Sequence, residues 1–327
     1  FGERYPITRV WCNTPTKIAQ AEDILISVRA PIGALNYAKE ECCIGRGLAA
    51  ITPDRNKVSQ DFIYWALKGK KAELNDKGNG STFKAISRKI LEETMIPDIN
   101  FEQQHKCAEN LEKIYGIIQN RRKELLALDD LIKARFVEMF DGKYPEDTLL
   151  NLCNIIDYRG KTPKKVERGL PFITAKNVKM HHMTLEPLEY ISKETYDKVM
   201  VRGFPKEGDV VFTTEAPLGN VCRIPHFNTE FYIGQRIVTM QTEELNPTYL
   251  EYALSAEEFI RKYMGNSSGS TVIGIRVRLL EQLTIQVPPR GLQDEFAIFV
   301  EQVDKSKLMF QKLHQKLNIL RQKAGDI

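Results

Sequence analysis

Apolar residues recur along this chain in two rhythms. Short β-branched and aliphatic runs, Ile24 to Val28, Ala49 to Ile51, Val210 to Thr214 and Ile237 to Met240, are bounded by turn residues and read as strands. Two much longer stretches step by threes and fours. Phe101 to Phe140 has no proline and a single glycine, Gly116. Its apolar seam runs Leu111, Ile114, Ile118, Leu125, Leu128, Ile132 and Met139, broken by Arg121 and Arg135. The second seam runs Leu292, Phe296, Phe299, Val303, Ser306, Phe310, Leu313, Leu317 and Leu320. That is the heptad spacing of a coiled coil. The competing reading is an amphipathic helix lying on a globular core. Length argues against it, because ~40 residues at ~1.5 Å each make a rod of ~60 Å. Shorter helices are expected over Phe62 to Lys68 and over Tyr249 to Leu254, with Pro247 near the start of the latter.

The pattern is duplicated. DILISVRAPIG (Asp23 to Gly33) matches DVVFTTEAPLG (Asp209 to Gly219) at an offset of 186 residues. Ile44-Gly45 matches Ile233-Gly234, and GSTFKAI (Gly80 to Ile86) matches GSTVIGI (Gly269 to Ile275), both at an offset of 189. Three blocks in one order, with so small a drift, mark a tandem repeat. Two copies of ~188 residues would exceed the 327 present, so the first copy is expected to lack its opening ~45 residues. Repeat symmetry favours an antiparallel pairing of the long helices with a lobe at each end. The fold class expected is therefore α+β: two small mixed α/β lobes separated by two long helices that pair as an antiparallel coiled coil.

Composition changes this picture only where the charge is local. With 42% hydrophobic and 28% charged residues the chain can bury a core. No apolar run reaches the ~18–20 residues of a membrane span, and six scattered cysteines show no framework, so a reducing cytoplasm is the expected setting. The net charge is +4, yet Lys68 to Lys89 and Asp157 to Lys179 each net +5 and the remainder nets −6. One basic window falls in each lobe. Lysines and turn N–H groups suit phosphates, whereas base edges call for Arg, Asn, Gln, Ser or Thr. The candidate DNA-binding residues are Arg29, Arg46, Lys77, Asn79, Ser81 and Lys84 in the first lobe. In the second they are Arg159, Lys161, Thr162, Lys164, Lys165, Lys176, Asn177, Gln235, Arg236, Ser268, Ser270 and Thr271. A merely solvated charged face is the competing reading for any one of these clusters.

Signals for catalysis are weak. Neither a phosphate-cradling GxxxxGK[ST] nor a strand-linked GxGxxG occurs. Asn246-Pro247-Thr248-Tyr249 is similar to the NPPY-type motif of DNA amino-methyltransferases, but the first copy has Ser59-Gln60-Asp61-Phe62 at that place. A helix start explains Asn246 and Pro247 without chemistry. The adjacent pairs His181-His182 and Cys42-Cys43, if extended, point to opposite faces and cannot chelate together. They read as a surface histidine pair and a buried or partly buried cysteine pair. No catalytic residue and no metal ligand is proposed from the sequence.

Taken in order, these motifs resemble the specificity subunit of type I restriction-modification enzymes. The resemblance rests on DILISVRAPIG, CCIGRGLAAI (Cys42 to Ile51), GSTFKAISRKIL and Ile96-Pro97 leading to Gln103-Gln104. The second copy repeats them with Ile233-Gly234-Gln235-Arg236, GSTVIGI, Val287-Pro288 and Gln293, after RGKTP (Arg159 to Pro163) and PFITAKNV (Pro171 to Val178). It covers nearly the whole chain, except that an RGKTP-like opening is missing from the first copy. The resemblance implies two target-recognition domains, each reading half of a bipartite site in double-stranded DNA, with the helices as a ruler. Two such lobes can address major-groove segments about one turn, ~34–36 Å, apart. It also implies modification (methyltransferase) and restriction (endonuclease and translocase) subunits as partners. S-adenosylmethionine, ATP and Mg would belong to those partners, and this chain would carry no cofactor and no catalysis. The expected boundaries are residues 1–98 and 142–289 for the two recognition domains, with spacer helices at 99–141 and 290–327. The alternative is a duplicated coiled-coil adaptor that binds only proteins.

Overall fold

The computed structural model describes residues 4–8, 10–79, 84–158, 160, 163–269 and 273–325, with side chains described as far as residue 308. The chain forms two units, one of residues 1–124 and 310–327, the other of residues 125–309.

In unit 1, strand Ile24–Ser27 lies between Leu35–Tyr37 and Leu48–Ile51, antiparallel to both, with Ile24 opposite Tyr37 and Ile51. The central strand is wholly buried, whereas every residue of Leu48–Ile51 is half-buried. Helix Gln60–Gly69 is capped by the Ser59 hydroxyl, which accepts from the Phe62 N–H. Its Phe62, Tyr64, Trp65 and Leu67 pack with Ile24, Ile26, Leu35 and Tyr37 of the sheet. Ala108 and Leu111 of the first long helix complete this core.

Unit 2 repeats that plan and extends it. Strand Val210–Thr213 lies between Val221–Arg223 and Ile237–Gln241, and Asn154–Asp157 pairs with the outer edge of Ile237–Gln241. A second sheet has Leu170–Ile173 and Glu189–Ile191 at its centre, with Tyr232–Ile233 and Lys165–Val166 outside them. Tyr232–Ile233 runs parallel to its neighbour and the other pairs are antiparallel. Helix Pro247–Ser255 corresponds to Gln60–Gly69, with Asn246 at its N-cap and proline in its first turn.

The first long helix spans Phe101–Phe140 without a break, as the seam predicts. It opens with a reciprocal cap: the Gln103 N–H donates to Asn100 Oδ1 at 2.9 Å, and the Asn100 N–H donates to Gln103 Oε1 at 3.3 Å. The second long helix spans Arg290–Gly325. Within unit 2 the two run antiparallel, because Asp129 pairs with Lys307 at 2.7 Å and Arg135 with Glu295 at 3.0 Å. Between those ion pairs Ile132, Phe296 and Val303 are buried, and Leu128 and Phe299 are half-buried against the same core. Val300, Phe136 and Phe140 join them, although the heptad reading left them out. Full burial of each such side chain stabilises by ~1.5–3 kcal/mol. Ile118 is also fully buried, and Ile114 and Leu125 are half-buried. Leu111, expected in the seam, sits instead in the lobe core of unit 1. Side chains of Phe310, Leu313, Leu317 and Leu320 lie outside the described residues. No helix among the described residues is long and apolar enough to cross a membrane.

Candidate nucleic-acid interface

The three repeated sequence blocks converge in each unit at the end of the central strand. In unit 1 the Val28 N–H donates to the Gly47 carbonyl at 2.9 Å, and the Ile86 N–H donates to the Val28 carbonyl at 2.9 Å. The Ala30 N–H donates to Lys84 at 3.1 Å, and Asn79 and Ala85 exchange both backbone hydrogen bonds at 3.0 Å. Unit 2 repeats the bonds of this set other than that of Ala30. The Thr214 N–H donates to Arg236, the Ile275 N–H donates to Thr214, and Ser268 and Gly274 exchange bonds as Asn79 and Ala85 do. The turn glycines Gly33 and Gly219 hold φ of 81° and 92°, where a Cβ is unfavourable, and a Cβ on Gly219 would strike the Tyr263 ring.

Arg29, Arg46, Asn79 and Lys84 are all exposed around this convergence in unit 1. Lys77 is exposed too, but it pairs with Glu73 at 2.7 Å, so its charge is largely spent locally. In unit 2 a cleft of about 370 Å³ is lined by Thr214, Glu215, Gln235, Ser268, Gly274, Ile275 and Arg276. A neighbouring recess is lined by Lys165, Thr174, Ala175, Gln235 and Arg236 among others. Gln235 lines both, so Lys165, Gln235, Arg236 and Ser268 share one surface. Two of its charges are balanced: Arg236 pairs with Glu215 at 2.9 Å and Lys165 with Glu189 at 2.7 Å. Lys164 and Lys176 are exposed.

Asn177 does not belong to this surface. It is 2% exposed, its Oδ1 accepts from the Thr174 N–H and hydroxyl, and its Nδ2 donates to the Thr184 and Pro187 carbonyls. A side-chain amide satisfied on both ends braces the loop and has nothing left for a base. Ser81, Arg159, Lys161, Thr162, Ser270 and Thr271 lie outside the described residues.

The histidine pair also differs from expectation. His181 adopts φ 62°, stacks on Tyr252 with centroids 4.3 Å apart, and places Nδ1 2.9 Å from Glu251 Oε1, so only His182 is a surface residue. Cys42 is half-buried and Cys43 exposed, while burial pushes the Cys153 and Cys222 thiols up to about 12. Asn246 is a helix cap: its Oδ1 accepts from the Thr248 N–H at 2.9 Å and its Nδ2 donates to Asp294 at 2.8 Å. Sequence reasoning passed over Glu215, which the repeat sets at the position of Arg29.

The family model for the type I restriction modification DNA specificity domain matches residues 13–128 and 146–320, once over each copy of the repeat. The chain belongs to that family. Among curated relatives, the MjaX type I restriction specificity subunit of Methanocaldococcus jannaschii is 43% identical over 143 residues, which is 44% of this chain and 34% of that protein. The MjaIX specificity subunit of the same organism is 21% identical over 98% of this chain and 79% of its own length. The solved S subunit of a type I restriction-modification system from M. genitalium shares the fold. Its TM-score is 0.57 at 17% identity, covering 94% of this chain and 82% of that one.

Proposed function

We propose that this chain is the DNA-specificity subunit of a type I restriction-modification complex. The observation that carries the reading is the convergence of the same three sequence blocks on one end of the central strand in both units. Each lobe reads one half of a bipartite target in double-stranded DNA, and the antiparallel helices set the gap between halves. In this reading exposed Lys84, Lys164 and Lys176 contact phosphates, and Arg29, Arg46, Gln235, Arg236, Asn79 and Ser268 are the candidates for base edges. Catalysis falls to modification and restriction subunits, with which S-adenosylmethionine, ATP and Mg would reside, and the complex works in the cytoplasm.

The test is an electrophoretic titration of the chain with its modification subunits on genomic fragments at increasing salt, paired with methylation mapping of the host. One split motif that disappears in a deletion strain is the expected result. Lysine-to-alanine changes at 164 and 176 should each reduce the salt slope by ~1 while lowering affinity on all sequences alike. Salt-insensitive or absent binding would replace this reading with a protein-binding adaptor. Deleting one heptad from both paired helices should change the gap and leave the half-site bases alone.

A further inference from the structure

Two glutamines occupy the fourth position of the long helices, and both are buried: Gln104 is 5% exposed and Gln293 is 1% exposed. Their bonding is the same. Gln104 Oε1 accepts the N–H of Ser59 at 2.8 Å, and its Nε2 donates to the Ile99 carbonyl at 2.8 Å. Gln293 Oε1 accepts the N–H of Asn246 at 2.8 Å, and its Nε2 donates to the Pro288 carbonyl at 2.8 Å. Ser59 and Asn246 are the N-caps of the corresponding lobe helices. Each glutamine thus ties the root of a long helix to the start of a lobe helix and to the connection between them. Apolar packing alone tolerates small slides and rotations. A buried amide does not, because any displacement that breaks its bonds leaves unsatisfied polar groups in a dry interior.

We infer that Gln104 and Gln293 are positioning residues that hold each lobe at a set angle on its long helix and so sharpen the spacing between half-sites. The inference rests on the proposed role in DNA recognition. The two roots are not equally secured. In unit 2, Asn246 Nδ2 also donates to Asp294 Oδ1 at 2.8 Å, and Asp294 in turn holds Arg290 at 2.9 Å. In unit 1 the residue that follows the glutamine is His105, whose ring meets Phe101 edge-on at 4.6 Å. Gln104 therefore carries more of its joint than Gln293 does.

The experiment uses the full chain assembled with its modification subunits. The probes are duplexes bearing the mapped bipartite target with the native spacer, one base pair less and one more, plus duplexes with single-base changes in either half. Gln104→Met should lose ~5-fold of the preference for the native spacer and Gln293→Met ~2-fold, with half-site discrimination held within ~2-fold. Gln104→Glu keeps the acceptor for Ser59 but, when ionised, sets a buried carboxylate against the Ile99 carbonyl, and should lose at least as much of the preference as Gln104→Met. An unchanged spacer preference in a Gln104→Met protein that melts like wild type overturns the inference. So does a parallel loss of spacer and base discrimination, or failure of both Gln104 variants to fold, since either outcome makes the residue purely structural. A wild-type protein with no spacer preference instead defeats the proposed function itself, before any variant is made.

Discussion

In unit 1, Tyr37 of the outer strand stacks on Tyr64 of the lobe helix, with ring centroids 4.6 Å apart. At the corresponding places in unit 2, Arg223 donates through Nε to the buried carboxylate of Glu251 at 2.6 Å, and His181 closes a triad. The surroundings follow suit. The Tyr37 hydroxyl donates to Asp61 at 2.7 Å and Arg4 lies over its ring at 5.1 Å; burial, then the Asp61 hydrogen bond, pushes that hydroxyl far above the ordinary tyrosine range. One backbone plan thus accepts an aromatic stack or an ion triad between strand and helix, provided both members change together. At the candidate DNA surface the difference is one of charge. Arg29 and Arg46 of unit 1 stand where unit 2 has Glu215 and Gln235, and Glu215 neutralises Arg236. The lobes share their turns and differ in what they present.

Core truncations should break the comparison hardest. Phe212 and Ile26 hold equivalent places on the central strands, and both are fully buried. Phe212→Ala should cost ~3–5 kcal/mol and Ile26→Ala ~2–5 kcal/mol in urea unfolding. Both tryptophans, Trp11 and Trp65, belong to unit 1, so fluorescence follows that unit and circular dichroism follows both. Phe212→Ala should leave the fluorescence transition in place; if both signals move together, the units unfold as one.

Next in size is the triad. Arg223→Tyr strands Glu251 with His181 alone and should cost about 2–3 kcal/mol, less than for a fully buried pair because the arginine is partly exposed. Adding Glu251→Tyr transplants the stack of unit 1 and should recover part of that loss. A double-mutant cycle with no favourable coupling would sink the idea that the pairs are interchangeable.

A smaller effect is expected at the surface. Arg29→Glu should weaken binding ~10-fold near ~0.1 M salt, whereas Glu215→Arg should strengthen it ~3-fold by freeing Arg236 and adding a charge. Anisotropy titrations across a salt series check both signs, and a silent Arg29→Glu would remove that face from the DNA.

The smallest effect concerns pH. Lys262 links strand Glu146–Thr148 to strand Thr284–Gln286 by pairing with Glu146 at 2.8 Å and bonding the Thr284 carbonyl at 3.1 Å. Hydrogen bonds from Lys262 and Thr284 hold the Glu146 carboxyl below its ordinary 4.5. For Lys262, burial opposes the charge, but bonds to Glu146 and Glu258 outweigh it and raise the ammonium above 10.5. Glu146 therefore contributes stability above pH 4.5 that is lost as pH falls through its lowered value. Lys262 contributes below pH 10.5 and loses that contribution as pH rises through its raised value. Both groups are partly exposed, so the seam is worth under about 1 kcal/mol. Lys262→Met should flatten the acid and alkaline ends of the melting-temperature profile; an unchanged profile would place the stability of this seam in its backbone ladder.

Local rules made much of this fold legible. The first long helix is bounded by Asn100 and Asp141 because a capping box opens it and Gly142, at φ 65°, closes it. The central strands were visible because they are apolar runs ending in Ala-Pro and a turn glycine. Comparison of the copies found the three blocks that converge, but it could say nothing of residues present only once. Among the described residues of unit 1 no strands match Leu170–Ile173 and Glu189–Ile191 of the second sheet of unit 2, so comparison of the copies could not reveal them. Burial of Asn177 was hidden for a related reason, since its partners Thr184 and Pro187 lie in a loop without periodicity. Charge windows count residues and ignore pairing, so Lys77 and Lys165 looked freer than Glu73 and Glu189 leave them.

The division of the chain has a consequence for the order of its synthesis. Unit 2 is a contiguous stretch, but its core needs Ile132 and Phe140 from the first long helix and Phe296, Val300 and Val303 from the second. It therefore cannot close until the second helix has left the ribosome at least as far as Val303. Unit 1 draws on both sides of unit 2, residues 1–124 and 310–327, so within this stretch its two parts are made before and after the whole of unit 2. The buried lobe core of unit 1, whose described members end at Leu111, can close in that interval.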